Sequence, residues 1–252
     1  MKQHEAILTD WSKQLTVIRS EVCNLYHHRQ IWEAMLEAIT TRAAETPGIF
    51  LQHYASMYVT TQTMGIRRLA RAGSNDPDSL KALIEKILRN RNIITRTWFS
   101  NRYATSMSRK AKPEDCLLKE GKRIFDKNWG CGGELVATEV LQKDIKNLDT
   151  HCERAIELSD NVHAHINRTF PKSGNSGEEA GEIGVTFKDL DLAINTIGDF
   201  VKRFAILIVG NDLVELAPIM QWDWSATFQR ALFPGPPDYR WPEDDRGPES
   251  ET

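Results

Sequence analysis

The chain of 252 residues is long enough to build one large domain or two small ones. Its composition, 40% hydrophobic and 27% charged residues, is typical of a soluble globular protein. The net charge of −3 at pH 7 excludes a general basic field for nucleic acid, so any contact with RNA requires a local basic patch. The cysteines show neither a CxxC motif nor a metal-binding spacing, which favours reduced thiols; they are Cys23, Cys116, Cys131 and Cys152.

The sequence contains no pattern typical of targeting or membrane insertion. The first residues, MKQHEAILTDWSKQ, include no apolar signal core. No apolar run approaches the roughly 20 residues that a membrane span requires. We therefore expect a cytoplasmic protein without a membrane contact.

Apolar residues recur at helical spacing through the first part of the chain. One such pattern covers 5–46 and stops at Pro47-Gly48, and a second covers 49–72. The second ends in a basic cluster made of Arg67, Arg68 and Arg71. Basic residues in a last helical turn also complement the helix dipole, so this cluster has a purely structural explanation as well.

Residues 74–79 combine turn chemistry with a helix start, and the segment that follows predicts a further helix. Residues 89–112 are rich in arginine and lysine and include the aromatic residues Trp98, Phe99 and Tyr103. Interleaved basic and aromatic side chains can bind single-stranded nucleic acid. A surface helix with a packed aromatic face explains the same pattern. Pro113 opens a short segment, and residues 129–133 predict a flexible turn.

Residues 141–170 predict a central helix, because no proline or glycine interrupts them and apolar residues recur on one face. At about 100° per residue, a line of residues follows one flank of the apolar stripe. These residues are Arg154, Leu158, Asn161, His165 and Arg168. His163 falls on the opposite flank, and Ser159 lies within the stripe. A histidine aligned with arginines suits RNA or phosphate chemistry, although an amphipathic helix also shows this pattern by chance.

The remaining sequence predicts one more helix between two mobile segments. Residues 171–184 are rich in glycine and serine and carry too few apolar side chains to order them. Thr186 and Asp189 then cap a helix that runs to Val209. Residues 233–252 form a proline-rich, acidic and disordered tail. We therefore predict an all-α helical bundle with long antiparallel helices, folded as a single domain over 1–232.

Three short motifs lie at corresponding places in the predicted helices. The second helix closes with GIRRL at 65–69, followed after a turn by DSLKAL at 78–83. The central helix ends with LSDNVHAH at 158–165, and the sequence VTFKDL at 185–190 opens the next helix. Together these motifs resemble the HEPN superfamily, and specifically its abortive-infection AbiU-like branch, and LSDNVHAH is similar to the family signature R-D/N-K-x-x-A-H. The resemblance covers roughly residues 30–230.

The resemblance implies a homodimeric helical bundle that acts as a metal-independent endoribonuclease in phage defence or as a toxin. It also implies a neutralising or sensor protein as partner, and no cofactor. The residues that match the motif are His165, Asn161 and Asp160, with His165 as general acid or base. The family arginine is absent, because the position six residues before His165 is Ser159. Arg154 and Arg168, or the basic cluster of the second helix, are the alternatives for binding phosphate.

Three functions therefore stay open at this point. The first is a HEPN-like endoribonuclease, and the second is a catalytically inactive HEPN-like module that binds RNA, a nucleotide or a protein. The third is a metal site built from His151, Cys152, His163 and His165. A regular helix directs His163 and His165 about 160° apart, which disfavours the metal site.

Overall fold

The computed structural model describes residues 2–41, 48–72, 78–107, 113–160, 185–210 and Leu216. These residues form helices joined by short connections, as the apolar periodicity predicts. The helices are α1 (Lys2–Thr41), α2 (Gly48–Ala70), α3 (Leu80–Arg89), α4 (Arg96–Met107), α5 (Glu114–Phe125), α6 (Thr138–Leu158) and α7 (Phe187–Val209). Within the described ranges there is no strand, and Thr95 and Leu135 form an isolated bridge. The prediction of an all-α bundle is confirmed.

Helix α7 packs against both α1 and α6. Helices α1 and α7 are antiparallel. Arg29, in the second half of α1, bonds to Asn195 in the first half of α7, whereas Leu8 near the start of α1 and Ile208 near the end of α7 line the same cleft. The contacts between α6 and α7 run in the same antiparallel sense. Each of these helices buries its apolar stripe in one continuous core, which removes apolar surface from water.

Two glycines allow helices to approach more closely than other residues would permit. A Cβ added at Gly121 of α5 would lie 2.9 Å from the Ser100 Cα of α4. A Cβ added at Gly65 of α2 would lie 2.6 Å from the Leu25 Cδ2 of α1. The second contact places the basic end of α2 directly against α1.

The predicted cap at the start of α7, its predicted end at Val209 and the predicted helix start before α3 are confirmed. Thr186 and Asp189 form a complete capping box at the N-terminus of α7. Gly210 ends the same helix in the left-handed conformation, with φ of 76°. The Ser79 side chain accepts a hydrogen bond from the Ala82 amide and begins α3.

The structure differs from the sequence-based prediction after Pro113. The predicted short segment is a full helix, α5, and it continues into a π-helical turn over Asp126–Gly130. Cys131 then takes the left-handed conformation, with φ of 44°. The predicted mobile segment 171–184 and the predicted tail 233–252 lie outside the described residues. The same is true of the last part of the predicted central helix, residues 161–170.

Two further expectations concern membrane-spanning helices and the cysteines. No helix in the described ranges combines the length and apolarity needed to cross a membrane. The cysteines are free thiols, as the sequence predicts. Burial raises the pKa of the Cys152 thiol to about 12, so this thiol stays protonated and unreactive near neutral pH.

Candidate functional site

The end of α2 and the end of α6 meet in a cluster of two arginines and one carboxylate. Arg67 Nε donates a hydrogen bond of 2.5 Å to Asp160 Oδ1, and Arg71 Nη1 donates to Asp160 Oδ2. The two arginines lie one helical turn apart and so face the same side. Asp160 is the second residue after the end of α6, in the segment that resembles the HEPN signature. We call Arg67, Arg71 and Asp160 the arginine cluster.

The local sequence explains why both guanidinium groups reach Asp160. Arg67 is in the last turn of α2, and the Arg71 amide continues the helical pattern by donating to the Arg67 carbonyl at 3.0 Å. Leu69 and Ala70, between the two arginines, are buried in the core, which fixes the orientation of this turn. The unpaired carbonyl groups at the end of α2 also attract positive charge.

The arginine cluster keeps an excess of positive charge and remains open to solvent. Two guanidinium groups face one carboxylate, so the net charge is +1. The side chains of Arg67 and Arg71 are 31% and 48% exposed. Each guanidinium carries five N–H donors, and Asp160 takes one from each in the described contacts. The cluster can therefore bind a further anion such as phosphate.

Arg68, between the two arginines, takes part in a different contact. Its Nη2 donates a hydrogen bond of 3.0 Å to Glu21 Oε2 on α1, and its side chain is 58% exposed. Arg68 therefore shares the charge and the helix of Arg67 and Arg71 without pairing with Asp160. This makes it a natural control position.

Arg154, which the sequence proposes for phosphate binding, lies in an ion pair at the start of α7. Its Nη1 donates hydrogen bonds of 3.2 and 3.1 Å to the two carboxylate oxygens of Asp189. Hydrogen bonds from Thr186, and then the nearby Arg154, lower the pKa of Asp189 below its ordinary value. Arg154 therefore stabilises the cap of α7 in this structure, and its contact with phosphate stays a prediction.

Ser159, which occupies the position of the family arginine, is closed to a large cation. The residue is only 2% exposed, as its place in the apolar stripe predicts. An arginine at this position would have to be buried without an evident partner, which costs free energy. Arg67 and Arg71 approach the neighbouring residue from α2 instead.

Three of the predicted site residues lie outside the described residues. They are Asn161, His165 and Arg168. Only Asp160 among the motif residues is therefore placed, and it is brought together with the basic cluster of α2. Sequence reasoning names that cluster as one alternative source of a cation, but it contains no signal that pairs it with Asp160.

The residues proposed for a metal site are only partly described. His151 Nδ1 lies 2.9 Å from Thr196 Oγ1 of α7, and Cys152 is buried in the core. His163 and His165 lie outside the described residues. Among the residues that are described, no group of three or more histidine, cysteine, aspartate and glutamate side chains could hold a metal ion.

Comparison with known proteins adds no family assignment. No family model matches the chain, and neither a curated protein nor a solved structure matches it.

Proposed function

We propose that the chain is a HEPN-like, metal-independent endoribonuclease whose arginine cluster binds the phosphate next to the cleaved bond. The observation that carries the proposal is the convergence of Arg67 and Arg71 on Asp160, five residues before His165 in sequence. In this proposal the two arginines replace the cation that the motif lacks at Ser159. Defence against phage, or action as a toxin, is the biological role that the resemblance implies.

The chemistry of the proposed reaction needs a phosphate-binding group and a proton carrier. Arg67 and Arg71 neutralise the charge that develops on the phosphate oxygens. His165 takes the proton of the ribose 2′-OH, and the 2′ oxygen forms a bond to phosphorus. The bond from phosphorus to the 5′ oxygen then breaks, and the imidazolium returns its proton to that oxygen. The products are a 2′,3′-cyclic phosphate and a 5′-hydroxyl end.

Asp160 acts in this proposal as a positioning residue. Its two carboxylate oxygens hold one guanidinium each, so the donors that Asp160 leaves unused are oriented before RNA binds. It also reduces the repulsion between the two arginines. We expect the Asp160→Asn variant to bind RNA at least as tightly as wild type, because a negative charge is removed, but to cleave more slowly.

The direct test is cleavage of RNA by the purified full chain in the presence of EDTA. The His165→Ala variant should lose about 10²–10⁴-fold in rate, which is the usual contribution of a general acid or base. Its melting temperature should equal that of wild type. His163→Ala is the matched control, because it removes a neighbouring imidazole from the other flank of the predicted helix.

The result decides between the two classes of function. A wild-type protein that cleaves RNA, loses cleavage in His165→Ala and keeps it in His163→Ala supports the endoribonuclease. A folded wild-type protein that binds RNA but cleaves none, with or without added Mg²⁺, contradicts it. That result would favour the HEPN-like module that binds RNA, a nucleotide or a protein without catalysis.

A further inference from the structure

A wide cleft opens beside the N-terminal part of α1, away from the arginine cluster. Its volume is about 900 Å³, and its walls come from the first turns of α1, from α4 and from the end of α7. The residues that matter for its chemistry are His4, Glu5, Lys13, Trp98 and Arg102. Glu21, the partner of Arg68, lies about 12 Å along α1 from Lys13, the lining residue nearest to it in sequence, at 1.5 Å per residue, and Arg67, Arg71 and Asp160 do not line the cleft. The cleft and the arginine cluster are therefore separate.

Two features fix the side chains at one end of the cleft. His4 Nε2 lies 2.7 Å from the Ile93 carbonyl oxygen, which anchors the start of α1 to the segment before α4. Arg102 Nε donates a hydrogen bond of 3.2 Å to the Val209 carbonyl oxygen at the end of α7. The terminal nitrogens of Arg102 are left to face the cleft or solvent, because this bond uses only Nε.

The cleft carries more positive than negative charge. Lys13 and Arg102 line it, and Glu5 is the one acidic residue among its described walls. Within the described part of the chain, neither Lys13 nor Arg102 takes part in an ion pair. The start of α1 adds the positive end of a helix dipole and the end of α7 adds a negative end, so the two dipoles offset and the excess positive charge comes from Lys13 and Arg102. An anionic group is therefore favoured here.

Trp98 gives the cleft an aromatic wall next to these cations. Trp98 and Arg102 lie one turn apart on α4 and face the same side. The indole is half-buried, and its centroid lies 6.1 Å from the His4 ring in an edge-to-face arrangement. Leu8 and Ile208 add an apolar surface. Indole rings bind the planar bases of nucleotides by stacking.

From these features we propose that the cleft binds a nucleotide, with the base against Trp98 and the phosphate on Arg102 and Lys13. The volume accommodates one small ligand of this class. The ligand is either a free nucleotide or the 5′-terminal nucleotide of an RNA strand, since both present the same base and phosphate. This site does not depend on the proposed nuclease, because it shares no residue with the arginine cluster.

The test is isothermal titration calorimetry on the full chain, with AMP, adenosine, inorganic phosphate and a 5′-phosphorylated RNA octamer as probes. AMP should bind more tightly than either adenosine or inorganic phosphate, because each of these lacks one half of the recognised group. Binding of the octamer without binding of AMP would assign the site to RNA ends. Octamer binding is measured in the Arg67→Gln/Arg71→Gln background, so that the arginine cluster does not contribute.

Substitutions on the walls of the cleft test the assigned contacts. Arg102→Gln and Lys13→Gln should each weaken binding about tenfold through loss of a charge-assisted contact. Trp98→Leu should weaken it by a similar factor through loss of stacking. Trp98→Phe, which keeps an aromatic ring, should retain most of the affinity, and it serves as the folded alternative if Trp98→Leu unfolds.

Matched controls remove the same charges elsewhere. Arg19 is on α1 outside the cleft, and Arg123 is on α5. The variants Arg19→Gln and Arg123→Gln should both bind AMP and the octamer as tightly as wild type does. The proposal is overturned if neither AMP nor the octamer binds at millimolar concentration. It is also overturned if the three cleft variants bind as tightly as the controls, or if inorganic phosphate binds as tightly as AMP.

Discussion

Asp144 of α6 and Arg203 of α7 form the most deeply buried ion pair of the described residues. Their side chains are 5% and 26% exposed, and Arg203 Nη2 donates to Asp144 Oδ2. Burial lowers the pKa of Arg203 to about 10, which leaves it charged near neutral pH. The guanidinium also lies over the rings of Phe200 and Phe204. The pair therefore joins the two helices at the centre of the bundle.

Removing one partner of this pair should be far more damaging than removing both. Asp144→Ala should lower the free energy of unfolding by about 3–5 kcal/mol, because a buried cation loses its partner. The double variant Asp144→Leu/Arg203→Met should recover most of that loss. Urea unfolding followed by circular dichroism measures both. Equal destabilisation by the single and the double variant would show that packing at this crossing, and not the unpaired charge, determines stability.

Residue-level contacts are the part of the site that the sequence predicts least well. Asp144 and Arg203 read as ordinary charged positions on amphipathic helices, because periodicity does not say which charges pair. Arg67 and Asp160 lie 93 positions apart, and no local pattern joins them. Burial of Ser159 is different, because the apolar stripe of one helix predicts it directly.

Helix α7 shows how local sequence sets the limits of an element. The Asp189 carboxylate accepts hydrogen bonds from the amide and hydroxyl of Thr186, and it also pairs with Arg154. These contacts stabilise the ionised carboxylate, and so they lower its pKa in the folded state.

Asp189→Ala should lower the free energy of unfolding by about 1 kcal/mol at neutral pH, the usual value for a lost cap. A group with a lowered pKa stabilises the fold above its unfolded pKa, which is about 4. That contribution is lost as the pH falls through the folded pKa. The difference from wild type should therefore shrink as the pH falls below about 4. Asp199→Ala on the exposed face of the same helix is the control, and thermal melts across the pH range measure the effect.

The elements that the sequence predicts well are those with periodic apolar residues and capping side chains at their ends. The π-helical turn Asp126–Gly130 is not predicted. Its five residues are too few to show a periodic pattern of apolar side chains that would distinguish a π-helix from a turn. Helix α5 is also missed as a helix, since its short run carries only three buried residues, Leu117, Gly121 and Phe125.

At the scale of the whole molecule, we propose that two copies associate through the end of α6. The described outer face of α6 is largely charged, but Leu158 stays half-buried beside Ser159 and Asp160. A second copy would cover Leu158 and bring a second arginine cluster near the first. Light scattering should give twice the 28.7 kDa mass of the chain at micromolar concentration. Leu158→Lys should convert the dimer to a monomer with little change in helix content, and a monomeric wild type would contradict the proposal.

We propose that Arg67 and Arg71, which pair with Asp160, act on the phosphate of RNA, whereas Arg68 at the same end of α2 does not. The most direct measurement is the single-turnover rate of RNA cleavage in EDTA for the variants Arg67→Gln/Arg71→Gln and Arg68→Gln. The double variant should lose at least about 10²-fold in rate, because the charge on the transition state is no longer neutralised. Arg68→Gln, which keeps both partners of Asp160, should stay within about twofold of wild type because only an exposed ion pair is lost. Equal rates for the double variant and Arg68→Gln would contradict the account.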